Sequence, residues 1–539
     1  RRQRQMCIRD RKEIVMNRIA IIDLGSNSIR FIIMHVNKLG VYKLIYQEKK
    51  SLRLAEGMSQ SSPFLTEAAQ KRALDCLRVY RHIANIYKVT KILAVATAAV
   101  RNAKNGASFL RRVYIATHIP MTIISGKQEA ALGFSGVIHT IDASDFLLFD
   151  LGGASIELSL IKDKKRIHSV SIPIGAVTLT EKFHSDGIVS NGDIKSIQSY
   201  IREVLHKITW LPRKPMKVIG VGGTVRNLAK VYQRSIGYPL PKLHNYQMSA
   251  NGLFSTIHSI TSSTPEERKR ISGLSSERAD IIIAGSLMVG EIIKYTHAGT
   301  LTVSGCGLRE GLFYRWYDPI YDKNRAHCRN MLISSAKNYY AALPVIENDH
   351  SKYVAALALS MFDQWKRIHQ LSDRSRMILY TAALLHDSGK IINYYNHARH
   401  SGYMIANAHI FGWSHKEQIM CALITAFHHG FSGRVLKTLK EARLLSDEDI
   451  EQIKLLSCFL AFAESLDESY EQCVSQIICT YSSGYDIRVY LNQENFDVPA
   501  HATKKIIESF EKLIGTTLSV QWFPGSRNKE LIKDFAKTL

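Results

Sequence analysis

Asp23-Leu24-Gly25-Ser26-Asn27-Ser28, entered through Arg18-Ile19-Ala20-Ile21-Ile22 and left through Ile29 to Val36, has a near copy later in the chain. There Phe146-Leu147-Leu148-Phe149 runs into Asp150-Leu151-Gly152-Gly153-Ala154-Ser155 and on through Ile156 to Ile161. Each copy is a short apolar run, an aspartate, a turn of small residues and a second apolar run, the pattern of a buried hairpin. Glycine lets backbone N–H groups approach a ligand closely, serine and asparagine add donors, and such nests of amides bind anions. An aspartate at the strand end suits a hard cation such as Mg²⁺, which bridges to phosphate oxygens. Two such loops facing each other would form a jaw for a phosphate chain.

The length of 539 residues suggests about three to four domains. With 46% hydrophobic and 22% charged residues the composition is that of a soluble globular protein. The net charge of +24 favours a polyanionic partner such as nucleic acid, polyphosphate or an anionic membrane, or else reflects a generally basic surface. Helix-turn-helix, zinc-finger and RNP-like aromatic motifs are absent, which argues against nucleic acid. The eight cysteines are scattered without a Cys-x-x-Cys pair, which fits a reducing cytoplasm rather than a disulfide framework or zinc ribbon. No apolar run approaches the roughly 18–20 residues of a membrane span, so no membrane partner is expected. Residues 1–15 read as a basic N-terminal tail without a signal-peptide core, upstream of a start at Met16.

Strand and helix patterns alternate after the first copy. Val41 to Leu54 reads as a strand pair, and Pro63 and Thr66 open a helix with Ala69, Ala73, Leu77, Tyr80 and Ala84 on one face. Lys91–Ala96 and Met121–Ile124 read as strands, Gly106–His118 as a helix, and Ser125 to Glu129 as opening a helix through Ala130–Val137, which predicts an α/β domain with a largely parallel sheet. The second copy restarts the pattern. Val218-Ile219-Gly220-Val221-Gly222-Gly223-Thr224 then leads into a helix at Val225–Tyr232, a phosphate-ready helix N-terminus. From Asn324 to about Gln472 the chain reads as helical and rich in histidine, and from Tyr485 onward as strand, amphipathic helix and strand.

The residues that carry chemistry are Asp23, Glu129, Asp150 and Glu157 together with the two loops. Phosphoanhydride hydrolysis needs an amide and cation cradle, a metal to neutralise charge, and a carboxylate that deprotonates water for in-line attack. The structural alternative for each carboxylate is a turn cap or a lysine partner, and the duplication speaks against it.

Six ordered motifs give a specific resemblance. They are Asp23 to Ser28 with Arg30, Ala96-Thr97-Ala98-Ala99-Val100-Arg101, Ser125-Gly126-Lys127-Gln128-Glu129-Ala130, Asp150 to Glu157, Gly220 to Thr224, and Leu308-Arg309-Glu310-Gly311. Over about residues 17–315 the chain resembles the exopolyphosphatase/guanosine pentaphosphate phosphohydrolases. The resemblance implies an α/β fold of two actin-like (sugar-kinase type) domains, I over 16–140 and II over 141–318, with the site between them. An all-α HD-like domain over 319–474 and a small α+β domain over 475–539 would follow. It also implies Mg²⁺, together with a monovalent cation such as K⁺, a homodimer, and release of terminal orthophosphate from inorganic polyphosphate. Glu129 would be the catalytic base, with Asp23, Asp150 and Glu157 as metal and water ligands. Gly25, Ser26, Asn27, Ser28, Arg30, Gly152, Gly153, Ala154, Ser155, Gly222, Gly223 and Thr224 would bind phosphate. Arg101 would clamp phosphate with its planar guanidinium. Ala154 stands where the family usually has a third glycine, and Gln128 replaces a frequent glutamate.

The helical region carries His350, His386-Asp387, His400, His428, His429 and Asp467. The order His…His-Asp…Asp is similar to the metal pattern of HD phosphohydrolases, which implies a second metal site of His350, His386, Asp387 and Asp467. The aspartate that usually follows an alanine is replaced here by Glu464 after Ala463, with Asp467 three residues on. Besides polyphosphate hydrolysis, two activities stay open: a guanosine pentaphosphate 5′-phosphohydrolase, and a nucleotide-binding switch of the actin or chaperone type.

Overall fold

The computed structural model describes residues 17–58, 62–323, 330–343, 349–525 and 531–538; the expected basic tail and Met16 lie outside the described residues. The chain divides into two compact units between 329 and 330. In the first unit, strands β1 (Asn17–Leu24), β2 (Ser28–Val36), β3 (Tyr42–Ser51), β4 (Lys91–Ala96) and β5 (Met121–Ile123) form a sheet in the order β3-β2-β1-β4-β5. Strands β6 (Phe146–Leu151), β7 (Ile156–Lys162), β8 (Lys165–Ile172), β9 (Val218–Gly222), β10 (Tyr246–Ser249) and β11 (Thr300–Val303) form the second, in the order β10-β11-β9-β6-β7-β8.

The repeated phrase therefore generates a repeated topology. In each sheet the phrase's own hairpin is extended by a third antiparallel strand on one side, while its first strand takes a parallel neighbour on the other. The sheets are mixed rather than largely parallel, because each begins as a three-stranded meander that tight turns can join. The expected strand pair at Val41–Leu54 is the single strand β3 followed by a turn.

Side-chain alternation sorts the layers. Ala20, Ile22, Leu24 and Phe31 face the helices Glu67–Ile86 and Gly106–Thr117, packing on Leu77, Tyr80, Phe109 and Val113. Ile19, Ile21 and Ile32 face the opposite way, onto Leu132, Leu308, Leu312 and Phe313. In the second sheet Leu147, Phe149 and Leu151 face a core that includes Ile201, Leu228 and Ile282. Phe146 and Leu148 meet Val137 and Ile138 on the other face.

Two helices, Gly126–Ile138 and Leu308–Tyr321, thus lie between the sheets and carry the chain from one lobe to the other. They touch backbone to backbone. A Cβ at Gly136 would stand 2.0 Å from the Gly307 carbonyl oxygen, and one at Gly311 would stand 1.9 Å from that of Leu132. The second of these helices continues past position 318, the expected end of domain II, to Tyr321.

The second unit is mainly helical, with helices Met331–Ala341, His350–Gln364, Asp373–Leu385, His397–Asn407, His415–Ala426 and Asp447–Ser465. It ends in a sheet of β12 (Val474–Tyr481), β13 (Tyr485–Leu491) and β14 (Leu518–Phe523) with the helix Asp497–Ile514. Trp365 Nε1 donates to the Thr480 carbonyl at 2.8 Å, tying that sheet to the helices. No described helix is long and apolar enough to cross a membrane.

Candidate active site

The registers of the two hairpins place Arg30 opposite Asp23 and Glu157 opposite Asp150. All four side chains take the parity that faces the lobe-crossing helices, because their neighbours Ile22, Ile29, Leu151 and Ile156 face the other way. Where the first copy pairs its aspartate with a cation, the second pairs it with a carboxylate. In both turns the glycine amide is consumed: Gly25 N–H donates to Ser28 O at 3.1 Å and Gly152 N–H to Ser155 O at 2.9 Å. The cradle therefore falls to the amides of Ser26, Asn27, Gly153 and Ala154, for which no backbone acceptor is seen among the described residues. The loops face each other closely, since a Cβ at Gly153 would stand 3.3 Å from Ser26 Cβ and 3.6 Å from Asn27 Cβ.

Asp23, Gly25, Ser26, Asn27, Ser28, Arg30, Glu129, Asp150, Gly152, Gly153, Ala154, Ser155, Gly222 and Gly223 line one cleft. Gly222 adopts φ of 118°, which an L side chain rarely does, and turns β9 into the helix Gly223–Ser235. Thr224 stands apart: it is fully buried, with its hydroxyl against Gly285, and does not line the cleft. Ala154 sits buried in its loop, and Gly152 and Gly153 do not take positive φ, so an alanine fits there without strain.

Glu129 occupies the first turn of the helix Gly126–Ile138. Gln128 explains itself here: its side chain accepts from Ser125 N–H at 2.8 Å and completes a capping box that pins this turn. Arg101 Nη1 donates to Glu129 Oε2 at 2.8 Å and to the Ile124 carbonyl at 2.9 Å. Glu157 is 4% exposed and accepts from Ser171 Oγ at 2.7 Å.

Burial raises all four carboxyls above their ordinary range. Glu129 is pushed up to about 7 by burial, against the Arg101 hydrogen bond, with Asp150 and Asp23 repelling its charge. Asp150 is pushed up to about 6 by burial, with Arg30 opposing and Asp23 adding. Burial, then Glu129 and Asp150, hold Glu157 well above the carboxylate range. A crowded set of oxygen donors that repel one another suits a hard divalent cation.

Two arginines with no role assigned from the sequence stand with Arg30 at the cleft. Arg226 is pushed down to about 9 by burial and by Arg30, Arg309 and Arg278; Arg278 is pushed down to about 10 by burial and Arg30. A Cβ at Gly223 would meet Arg278 Nη2 at 2.0 Å, so the glycine makes room for the guanidinium. Buried guanidinium groups that repel one another are poised for a multiply charged anion. Arg226 stands in the first turn of the helix Gly223–Ser235, just after the Gly-Gly-Thr run, where an anion site could have been sought; Arg278 lies in no motif.

The cleft has two unlike flanks. Beyond Ser155 a recess is lined by Arg101, Asn102, Gly126, Lys127 and Ser171. Beyond Ser26 and Asn27 another is lined by Val177, Ile281, Glu56, Glu181, Asp186 and Asp280, with Arg53 paired to Asp280 at 2.9 Å.

In the helical unit His350, His386 and Asp387 come together, but Asp467 does not join them as a facing ligand. It accepts from His350 Nδ1 at 2.7 Å and from Gln472 N–H at 2.7 Å, behind the imidazole. Glu464 faces the cluster instead, with His397, which the sequence pattern passed over; His400 belongs to neither metal-competent group.

Comparison with known proteins agrees with this architecture. The profile of the Ppx/GppA phosphatase family matches residues 32–319, and that of Ppx/GppA phosphatase domain III matches 334–496. An exopolyphosphatase structure from Cytophaga hutchinsonii is 27% identical with a TM-score of 0.53, over 56% of this chain and 99% of that one. A Ppx/GppA family member from Aquifex aeolicus is 26% identical with a TM-score of 0.50, over 58% of this chain and all of that one. A curated bifunctional 3-dehydroquinate synthase/phosphatase of Fusobacterium nucleatum is 30% identical over 298 residues. The match spans 44% of that relative's length and 53% of this chain. The expected pair of actin-like lobes followed by a helical region is the fold.

Proposed function

The chain belongs to the Ppx/GppA phosphatase family, and from that premise we propose that its cleft hydrolyses the terminal phosphoanhydride of inorganic polyphosphate to release orthophosphate. The observation that carries this reading is the cluster of mutually repelling Arg30, Arg226 and Arg278, the last buried and the other two half-buried, beside the paired loops. It answers to an anion of several charges. The amides of Ser26, Asn27, Gly153 and Ala154 orient the terminal phosphate, and the arginines balance its charge. Glu129, with its carboxyl near neutrality and held by Arg101, takes the proton of the attacking water. The water oxygen bonds to phosphorus in line as the bridging P–O bond breaks, and the shortened chain leaves as a phosphate anion. Asp23, Asp150 and Glu157 would hold Mg²⁺, which supplies charge neutralisation for the phosphate oxygens. The basic recess at Arg101 and Lys127 and the net charge of +24 suit the rest of a long polyanion.

One observation favours a second reading. The recess beyond Ser26 and Asn27 mixes apolar residues with Asp280 paired to Arg53, Glu56 paired to Arg72, and Glu181 and Asp186, which repel a phosphate polymer but accept the donors of a purine base and ribose. That flank suits guanosine pentaphosphate. Steady-state kinetics on long polyphosphate, short polyphosphate and guanosine pentaphosphate side by side decide between them. A kcat/KM that rises with polymer length supports the first reading. A preference for the nucleotide, abolished by Glu181→Lys, overturns it in favour of the second.

A further inference from the structure

Four buried or half-buried histidines of the helical unit are arranged with the same ring nitrogen pointing inward. The Nδ1 of His386 lies 2.7 Å from the Ala383 carbonyl, that of His397 lies 3.0 Å from the Tyr394 carbonyl, and that of His428 contacts the Thr425 carbonyl. The Nδ1 of His350 meets the Asp467 carboxylate. A carbonyl or carboxylate oxygen can only accept, so each Nδ1 carries the proton and each Nε2 presents a lone pair.

Those lone pairs converge on two further acceptors. Asp387 Oδ1 is 3.3 Å from His397 Nε2 and 3.7 Å from His386 Nε2. Glu464 Oε2 is 3.1 Å from His428 Nε2, and Oε1 is 4.0 Å from His386 Nε2 and 3.9 Å from His429 Nε2. His386 Nε2, Asp387 Oδ1 and His428 Nε2 are buried without a hydrogen-bond partner among the described residues. Leaving such groups buried and unpaired is costly. A second proton on His428 would pair it with Glu464 but would leave His386 Nε2 and Asp387 Oδ1 unanswered. Cations answer all of them at once.

The ligand atoms fall into two groups, His350, His386 and Asp387 in one and His397, His428, His429 and Glu464 in the other, each within 4.8 Å. Asp387 Oδ1 stands between them, while Lys390 Nζ holds Oδ2 at 2.6 Å. We propose that this unit binds a pair of divalent transition-metal ions side by side, with Asp387 Oδ1 as the shared ligand. Imidazole nitrogens select such ions over Mg²⁺ or Ca²⁺, in contrast with the all-oxygen set of the cleft. The Nδ1 hydrogen bonds, including that of His350 to Asp467, orient the rings as outer partners of metal ligands do.

The test is to load the full-length chain anaerobically with Mn²⁺, desalt it, and measure metal content by mass spectrometry and electron spin resonance. The expected result is about two manganese ions per chain with the signal of a spin-coupled pair. Asp387→Asn should lose both ions, Glu464→Gln should leave a single uncoupled ion, and Asp150→Asn in the cleft should retain the pair. His429 has a 56% exposed side chain, so His429→Ala preserves the fold and should speed metal loss on desalting. Less than half an ion per chain, a single uncoupled ion in the unaltered protein, or loss of the pair in Asp150→Asn overturns the proposal. The spin-coupled signal of the unaltered chain requires no variant to fold.

Discussion

Arg101 Nη1 stands 2.8 Å from Glu129 Oε2 and holds a cleft carboxyl whose ionisation lies near neutrality. Removing the base while keeping the side-chain shape separates chemistry from binding. Glu129→Gln should lower kcat on polyphosphate by about 10²–10⁴-fold, the usual worth of a positioned base. Its polyphosphate affinity, read by fluorescence anisotropy, should stay within about threefold of the parent, since a neutral amide repels the anion less. Turnover at the parent rate would remove Glu129 from the reaction.

The raised ionisation of Glu129 sets the sign of the pH profile. A base must be deprotonated, so free-enzyme kcat/KM should climb about tenfold per pH unit on the acid side and level off above about 7. Arg101 pulls this ionisation down. Arg101→Lys, which loses the fixed guanidinium contact, should move the acid limb to higher pH as well as weaken catalysis. An unchanged limb in that variant would show that the pair does not tune the base.

Asp150 makes a prediction about stability. Its folded ionisation lies near 6 and its ordinary value is 3.8, so the folded state holds the proton more tightly. Stability from this group is present below about 4 and is lost as pH rises through about 6. Above that, the buried carboxylate destabilises the fold by up to about 3 kcal/mol. In metal-free buffer Asp150→Asn should therefore melt a few degrees higher than the parent at pH 8 and no higher at pH 4. Millimolar Mg²⁺ should close the gap by stabilising the parent alone. A gap that ignores both pH and Mg²⁺ would refute the placement of a cation at Asp150.

Arg278 belongs to the arginine cluster and makes no bond to Glu129 or Asp150. Arg278→Ala should raise KM for polyphosphate by roughly 10–100-fold, from a charged hydrogen bond worth about 1.5–3 kcal/mol. It should leave the acid limb of the pH profile in place. Calorimetric titration with orthophosphate should show the same loss of affinity, and wild-type affinity would take Arg278 out of the site.

The parts of the site that were legible in the sequence are those written contiguously. Asp23 to Ser28, Asp150 to Glu157 and Ser125 to Glu129 each carry a strand end, a turn or a capped helix start together with the functional side chain. Even the opposition of Arg30 to Asp23 and Glu157 to Asp150 follows from an equal spacing along two hairpins. Arg278 was not legible, because a single arginine in a short helical turn acquires meaning only when the tertiary fold sets it against Gly223. Thr224 misled for the opposite reason. It completes a motif, but one step into the helix its side chain faces the core. His397 escaped since a pattern of residue types along helices does not reveal which helical faces converge, and Glu464 was read only as a departure from the usual aspartate although it is the carboxylate that faces the cluster. The sheet was expected to be largely parallel from the alternation of strands and helices, yet the opening meander in each lobe outweighs that rhythm.

The glycine seam between the two lobe-crossing helices has a mechanical consequence. With Gly136 on the Gly307 carbonyl and Gly311 on that of Leu132, the helices meet main chain to main chain at two points, with no slack there. Sliding one past the other would drive carbonyl groups into side-chain Cβ atoms at the next turn, whereas pivoting about the contact moves little material. Any opening and shutting of the cleft must then be a rotation about that axle. Glu129 lies on the same helix about two turns before Gly136, and Asp150 Oδ2 would stand 3.8 Å from a Cβ at Gly307, so both carboxyls ride close to the pivot and keep their spacing while the lobes turn.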